Sequence, residues 1–363
     1  MSTEINTNKS NKSAFKFDWS WISDQLGRFS LLLVFGIFLA GFSIAKPQTF
    51  ADLGTLRSIA TINVPTLFLA FAATLSFVVG EFDLSVYAIA VFSQIVVVDL
   101  VEIQHVPVLL ALFLALLGSA LIGLFNGVAI AVFRFSSFIV TLATSSLVAG
   151  IFLAITKGQT IYKTAPHSLT MIARSSFWGI PLPVYYGIAG AIILSVVLTR
   201  TPVGRRMYAT GSNQRAALLT GIATKRYIIM TFVVGSLLSS FAGIILASNL
   251  GTAYPDTSGS LLIPAFAGAF LGATAFTPGR FNIMGTLVAV YLVGVVVAGL
   301  QQFGVAQWVT PTFDGVILFA SVVLQVWTSR SRARAAAKAR LRELEESGQS
   351  QSLPKGSQLV GNE

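Results

Sequence analysis

Ten apolar runs organise the chain, near residues 29–45, 61–80, 84–101, 106–132, 137–156, 182–199, 227–248, 260–275, 282–302 and 310–327. Most approach the roughly 20 residues that a helix needs to cross a bilayer core of about 30 Å. The pattern predicts an all-α, polytopic membrane protein of about ten transmembrane helices. The run at 260–275 is short and predicts either a half-helix or a span packed tightly inside the bundle. An even number of spans puts both termini on one side. The chain then divides into an N-terminal segment 1–27, a transmembrane domain 28–328 and a basic tail 329–363.

Composition agrees with this division. Of 363 residues, 54% are hydrophobic and 10% charged, against roughly 25% charged in soluble domains. The net charge of +10 raises the question of a nucleic-acid partner, but the position of the charges answers it. With the N-terminus inside, all but five of the 24 Lys and Arg residues fall on the cytoplasmic side, among them Arg134, Arg280 and the six from Arg200 to Arg226. Lys46, Arg57, Lys157, Lys163 and Arg174 remain opposite. This is the positive-inside bias of an N-in, C-in protein, and no nucleic acid is needed to explain it. Residues 1–27 are polar, so the first span reads as an uncleaved anchor with Trp19 and Trp21 at its interface.

Several chemistries are excluded. Cysteine is absent, and the two histidines, His105 and His167, lie in separate connections, so no thiolate or histidine metal centre is expected. There is no Gly-Lys dipeptide and therefore no phosphate-binding loop of the Walker type, nor a nucleophile elbow or zinc-protease helix. Any ATP consumed on this protein's behalf must be hydrolysed by another subunit.

The candidate chemistry lies in polar residues within apolar surroundings. Glu81 and Asp83 stand in FVVGEFDLSV, and Asp314 in TFDGVIL. Intramembrane acids are functional candidates by default, so an ion-coupled transporter using Glu81, Asp83 or Asp314 is one reading. On one helix, side chains two apart point about 200° away from each other, which argues against a shared catalytic site for Glu81 and Asp83. Because residues 61–101 hold two spans, Glu81–Ser85 is expected at a reversal of the chain, with Asp83 as N-cap of the following helix. Asn126, Thr141, Thr144 and Ser145 would either line a polar path or bond between helices. Gly123–Gly127 and Gly268–Gly272 have the spacing that permits close helix contact, within the bundle or between copies.

The connection Arg200–Arg226 is the longest between spans on the cytoplasmic side. Gly204 and the Gly211-Ser212-Asn213 cluster are turn formers. Ser212 or Asn213 can cap a short helix from Gln214 that stops at Gly221. Its apolar face, Ala216, Ala217 and Leu218, suits either a groove on a partner or the membrane interface. On the opposite side, 157–181 and 249–259 either meet a partner or close the bundle. After Trp327 the basic, Ala-rich tail favours a helix in which Arg342 and Glu346 can pair, and its charge suits anionic lipid.

Four segments in order resemble the permease subunits of ribose-type ABC importers, the group that carries monosaccharides and related small polar solutes. GEFDLSVY at 80–87 is similar to that family's GGIDLSVG, and GLFNGVAIAVFRFSSFIVTL at 123–142 to its GLxNGxxVxxxxxPPFIVTL. GRRMYATGSNQRAALLTGI at 204–222 resembles GRxxYAIGGNxxAAxLSGI, the segment that touches the ATPase, and GATAFTPGRFNIMGT at 272–286 resembles GGTSLSGGRGSVxGT. Together they span roughly 60–325. The resemblance implies a multi-pass permease of the cytoplasmic (inner) membrane that binds no cofactor itself. It implies pairing with a second permease copy or a sister permease, a cytoplasmic ATP-binding subunit carrying ATP and Mg, and an extracytoplasmic solute-binding protein. Gly204, Gly211, Ser212, Asn213, Ala216, Ala217 and Gly221 then form the ATPase-coupling loop, and Glu81, Asp83 and Ser85 belong to the first motif. Departures occur at Glu81, Tyr87, Pro278 and Phe281, where the family usually has glycine, at Ser136 and Ser137, where it has proline, and at Asp314. Glu81 would then pair with a base such as Arg134 or Arg280, or face the ATPase.

Overall fold

The computed structural model describes residues 19–162, 165–256 and 258–346. Residues 1–18 and 347–363 lie outside the described set, as do the side chains of Trp19, Trp21, Arg342 and Glu346. The chain is helical almost throughout, with thirteen α-helices and one two-stranded hairpin among the described residues. The helices are α1 (Trp19–Ala45), α2 (Leu53–Val78), α3 (Val86–Val98), α4 (Val108–Ala131), α5 (Ser137–Thr156), α6 (His167–Arg174), α7 (Leu182–Arg200), α8 (Pro202–Ser212), α9 (Gln214–Leu219), α10 (Thr224–Leu250), α11 (Leu262–Gly272), α12 (Ile283–Gln302) and α13 (Val309–Glu346). A π-helical turn, Asp99–Ile103, extends α3.

Among the described residues, eight helices are long and apolar enough to cross a membrane. Two further apolar stretches, Phe29–Ala45 of α1 and the helix α11, fall short of that length. Four runs differ most in extent from the hydropathy reading, and α1 begins ten residues before its run at 29–45. α2 begins eight residues earlier than the apolar run, because Asp52 caps it by accepting from Gly54 N at 2.8 Å and Thr55 N at 3.3 Å. α11 is only 11 residues long. α13 continues unbroken from the last apolar run into the basic segment.

The connectors collect at two ends of the bundle. At one end, Gly211 lies on the last turn of α2, Phe82 N donates to Ser137 Oγ, and Tyr208 Oη donates to the Phe281 carbonyl. At the other, here called the far end, Lys46 sits over the Phe303 ring, Ile161 pairs with Ala253, and Arg57 approaches Gly179.

Burial ranks the helices. α2 is buried over nearly its whole second half, and α7, α10, α11 and α12 pack around it. α4 shows the opposite face: Leu109, Phe113, Leu117, Leu121 and Phe125 are exposed at four-residue spacing, an apolar stripe suited to lipid. Small residues set the closest approaches. A Cβ on Gly123 would stand 2.5 Å from the Phe232 carbonyl oxygen, and one on Gly272 would stand 2.3 Å from Thr286 N. Both glycine pairs therefore serve packing inside the bundle, α4 on α10 and α11 on α12. Hydroxyls within helices return bonds to the preceding turn, as in Thr231 Oγ1 to the Tyr227 carbonyl at 2.8 Å and Ser239 Oγ to that of Gly235 at 2.9 Å. Such bonds satisfy these hydroxyls within their own helices.

Candidate translocation site and coupling element

The α2–α3 connector is an extended strip held by side chains from α4 and α5. Phe82 N donates to Ser137 Oγ at 3.2 Å and Leu84 N to Thr141 Oγ1 at 3.0 Å, so two backbone amides that no helix satisfies find partners on α5. Below them Asp83, 1% exposed, accepts from both the amide and the hydroxyl of Ser85. Ser85 Oγ in turn accepts from Asn126 Nδ2 at 3.0 Å, and Asn126 Oδ1 accepts from Thr144 Oγ1 at 2.6 Å. Asp83, Ser85, Asn126 and Thr144 thus form one dry chain of bonds through three elements.

Asp83 is not the N-cap of α3. The helix starts at Val86 with Ser85 in the cap position, and Asp83 closes a local turn onto Ser85 instead. A cap was expected because an acid precedes an apolar run, but the segment first climbs in extended form along α5. Glu81 is half-buried and meets Ser137. Arg280, one of its expected partners, stacks instead over the Tyr208 ring at 4.2 Å. Ser145 is half-buried and stands outside the network.

The connection between α7 and α10 is more helical than its glycines suggest. Gly204, Gly211 and Ser212 belong to α8 and are not turn residues. The two glycines are required by contact: a Cβ at Gly204 or Gly211 would lie 2.2 Å from the carbonyl oxygen of Leu198 or Val78. Asn213 is the cap of α9, accepting from Ala216 N at 3.0 Å. Gly221 follows with φ of +81°, the left-handed conformation that lets the chain leave the short helix. Ala217 is buried and faces the protein, whereas Ala216, Leu218 and Leu219 face outward, Leu219 at 90% exposure. Leu219 was missed in the sequence because only the first three apolar residues were assigned to one face.

At the far end, α2, α12, α13 and the α10–α11 connector enclose a cavity of about 540 Å³. Asn63 and Thr66 line it from α2, Gln301 and Gln302 from α12, Asp314 from α13 and Ser260 from the connector. Asn63 is held by its own helix, donating to the Ile59 carbonyl at 2.7 Å, and Gly294 leaves the space it occupies. The floor is tied to α3: Tyr87 Oη donates to Asp256, and Ser260 Oγ lies 3.1 Å from Tyr87 Oη and 2.9 Å from the same carboxylate. Burial pushes the Asp256 carboxyl up, but the donors Ser258, Tyr87 and Ser260 outweigh it and hold it below its usual value. Apart from Asp314 and Tyr87, none of these residues was singled out in the sequence. Asn63, Thr66 and the two glutamines lie near the ends of apolar runs, where polar residues are commonplace.

Among the described residues no cluster of His, Cys, Asp or Glu could hold a metal ion. An all-helical, multi-pass bundle with a polar cavity at one end and a capped helical element at the other has the build of a membrane permease. Residues 55–322 match the family model described as branched-chain amino acid transport system / permease component. The ribose import permease protein RbsC of Bacillus subtilis (strain 168) is 34% identical over 304 residues, covering 84% of this chain and 93% of that protein. The L-arabinose ABC transporter permease protein AraH of Azospirillum brasilense is 32% identical, covering 85% and 90%. The D-allose transport system permease protein AlsC of Escherichia coli (strain K12) is 28% identical, covering 89% and 97%. No solved structure matches the chain. The chain belongs to the family of branched-chain amino acid transport system permease components.

Proposed function

We propose that this chain is the membrane-spanning subunit of an ATP-driven importer of a small polar solute, a monosaccharide, polyol or similar molecule. A separate cytoplasmic subunit supplies ATP hydrolysis, an extracytoplasmic binding protein delivers the solute, and a second permease completes the pair in the inner membrane. The observation that carries this reading is the polar cavity at the far end, within a bundle otherwise apolar toward its surroundings. The names of the relatives, a ribose import permease, an L-arabinose ABC transporter permease and a D-allose transport system permease, support a sugar.

The basic connectors, Arg134, Arg200–Arg226 and Arg280, orient the α8–α9 end toward the cytoplasm and the cavity outward. On this orientation α8 and α9 are the element that receives the ATPase, and the outward Leu218 and Leu219 are its docking residues. ATPase closure acts on α8, which rests on the end of α2, and α2 also lines the cavity. The ATPase must contact the two permease states differently for this linkage to bias transport.

The test is uptake of radiolabelled D-ribose, L-arabinose and D-allose into proteoliposomes holding the chain together with a candidate ATP-binding subunit and a candidate solute-binding protein from the same source. Uptake that requires ATP and the binding protein is expected. The competing reading, an ion-coupled transporter using Glu81, Asp83 or Asp314, requires uptake driven by a proton or sodium gradient without any ATPase, and that result would displace ours.

A further inference from the structure

A second cavity, of about 500 Å³, opens at the α8–α9 end between α7, α8, the start of α12 and the α11–α12 connector. Its mouth is basic. Arg205 of α8 and Arg280 of the connector are exposed there, and no Asp or Glu lines the cavity. Neither guanidinium meets a carboxylate among the described residues. Arg206, beside Arg205, donates to Tyr227 Oη at 3.1 Å. Arg280 is held instead by stacking on the Tyr208 ring, 4.2 Å away, which leaves its in-plane N–H donors free.

We propose that this cavity holds one anionic phospholipid of the leaflet on the α8–α9 side. Its phosphate sits on Arg205 and Arg280, and the upper part of one acyl chain lies along Met284, Leu287 and Val288. The inference goes beyond the importer reading and needs only that the bundle spans a membrane.

The change of polarity along the cavity carries the assignment. Thr199 and Thr277 are exposed beside the arginines, whereas Met284, Leu287 and Val288 are half-buried and follow α12 away from the mouth. A hydrophilic anion would use the first group and find nothing in the second. An amphiphile uses both, and basic pockets between membrane-spanning helices are suited to phospholipid head groups. An acidic protein surface would engage the arginines and leave the aliphatic wall empty. Lipid is also at hand, because Ile192, Ile193 and Val196 on the adjoining face of α7 are exposed, as apolar side chains facing hydrocarbon are. The first turn of α12 lines the same mouth. Asn282 takes the Gly285 amide at 2.7 Å, and the helix start adds positive potential for a phosphate. A phosphate on both arginines joins α8 to the connector, beside the bond that Tyr208 Oη already donates to the Phe281 carbonyl.

The test is native mass spectrometry of the full chain in detergent, titrated with palmitoyl-oleoyl phosphatidylglycerol or with phosphatidylcholine of the same chains. No ATPase, binding protein or solute is present, so a failure here leaves the importer reading standing. The first phosphatidylglycerol is expected to bind about tenfold or more tighter than phosphatidylcholine, given two basic residues at the site. Arg205→Gln and Arg280→Gln should each weaken it about fivefold, the attraction of one basic residue near an anionic surface. Met284→Trp fills the apolar wall and should weaken binding with both arginines in place. Arg134→Gln removes the same charge outside the cavity and should bind like the wild type. Inorganic phosphate in large excess should not displace the lipid. Melting curves without lipid show that each variant folds, and phosphatidylglycerol should raise the melting temperature of the wild type but not of Arg205→Gln/Arg280→Gln. Equal affinity for the two lipids, an equal loss in Arg134→Gln, full binding by Met284→Trp, or displacement by phosphate would overturn the proposal.

Discussion

Gly211 rests directly on the end of α2: a side-chain carbon at this position would stand 2.2 Å from the carbonyl oxygen of Val78 and 2.9 Å from Gly80 N. The contact is backbone to backbone, with no flexible side chain to give way. It ties the element proposed to receive the ATPase to the helix that also lines the far-end cavity.

Gly211→Ala must push α8 off α2, and overpacking of this kind costs about 1–3 kcal/mol. A lower melting temperature by intrinsic tryptophan fluorescence is expected, together with weaker ATP-driven uptake in the assembled transporter. Gly150→Ala is the control, because nothing lies within 4 Å of a Cβ there, and it should melt like the wild type. Equal melting of the two variants would show that α8 and α2 are not in contact in solution.

The bonds from Asn126 to Ser85 and Thr144 make a second group of variants informative. Asn126→Ala strands the Thr144 hydroxyl in a dry site and leaves Ser85 Oγ with its bond to Asp83 alone, at about 1–3 kcal/mol for the partner left unmade. Thr144→Val should cost a similar amount and Thr144→Ser very little. Because the residues share one bond, the double variant Asn126→Ala/Thr144→Val should be less destabilised than the two single losses combined. Additive losses in chemical or thermal unfolding would contradict the network.

The sequence made most of the fold readable, because hydropathy depends on residue type alone. The runs at 106–132 and 137–156 differ from α4 and α5 by two residues at most. Polar roles were less readable, because they depend on which helix comes alongside. Asn126 and Thr144 are eighteen residues apart and meet only because α4 and α5 pack together. Gly211 looks like a turn residue in isolation, and its need for a missing side chain becomes visible only when Val78, more than a hundred residues earlier, lies against it. Asp314 could be noticed as an acid in an apolar run, but the cavity it lines is built from helices distant in sequence.

Asn213 holds the start of α9 through the Ala216 amide. A helix of six residues cannot persist on propensity alone, since nucleation is unfavourable and isolated helices of this length do not form. Asn213→Ala should cost about 1 kcal/mol, whereas Asn213→Asp or Asn213→Ser should retain most of the cap. In the reconstituted transporter the alanine variant is expected to reduce binding of the ATPase in pull-down assays, with normal yield of the permease. Full docking by the alanine variant would remove α9 from the coupling element.

Tyr87 and Asp256 join the start of α3 to the floor of the far-end cavity, and this bond links the segment just after the α2–α3 connector to that cavity. Tyr87→Phe removes the donor and leaves the carboxylate with Ser258 and Ser260. A bond to a charged acceptor contributes about 1.5–3 kcal/mol, so hydrogen exchange in 251–261 should accelerate in Tyr87→Phe and in Asp256→Asn. The pH dependence has a definite sign. A carboxyl held below its usual value stabilises the fold when ionised, and that contribution disappears only as pH falls through the depressed value. Exchange in this segment should therefore be free of any titration by Asp256 between about pH 5 and 8, a window above the ordinary aspartate value of about 3.9. A transition inside that window that disappears in Asp256→Asn would show that the carboxylate is not held as described.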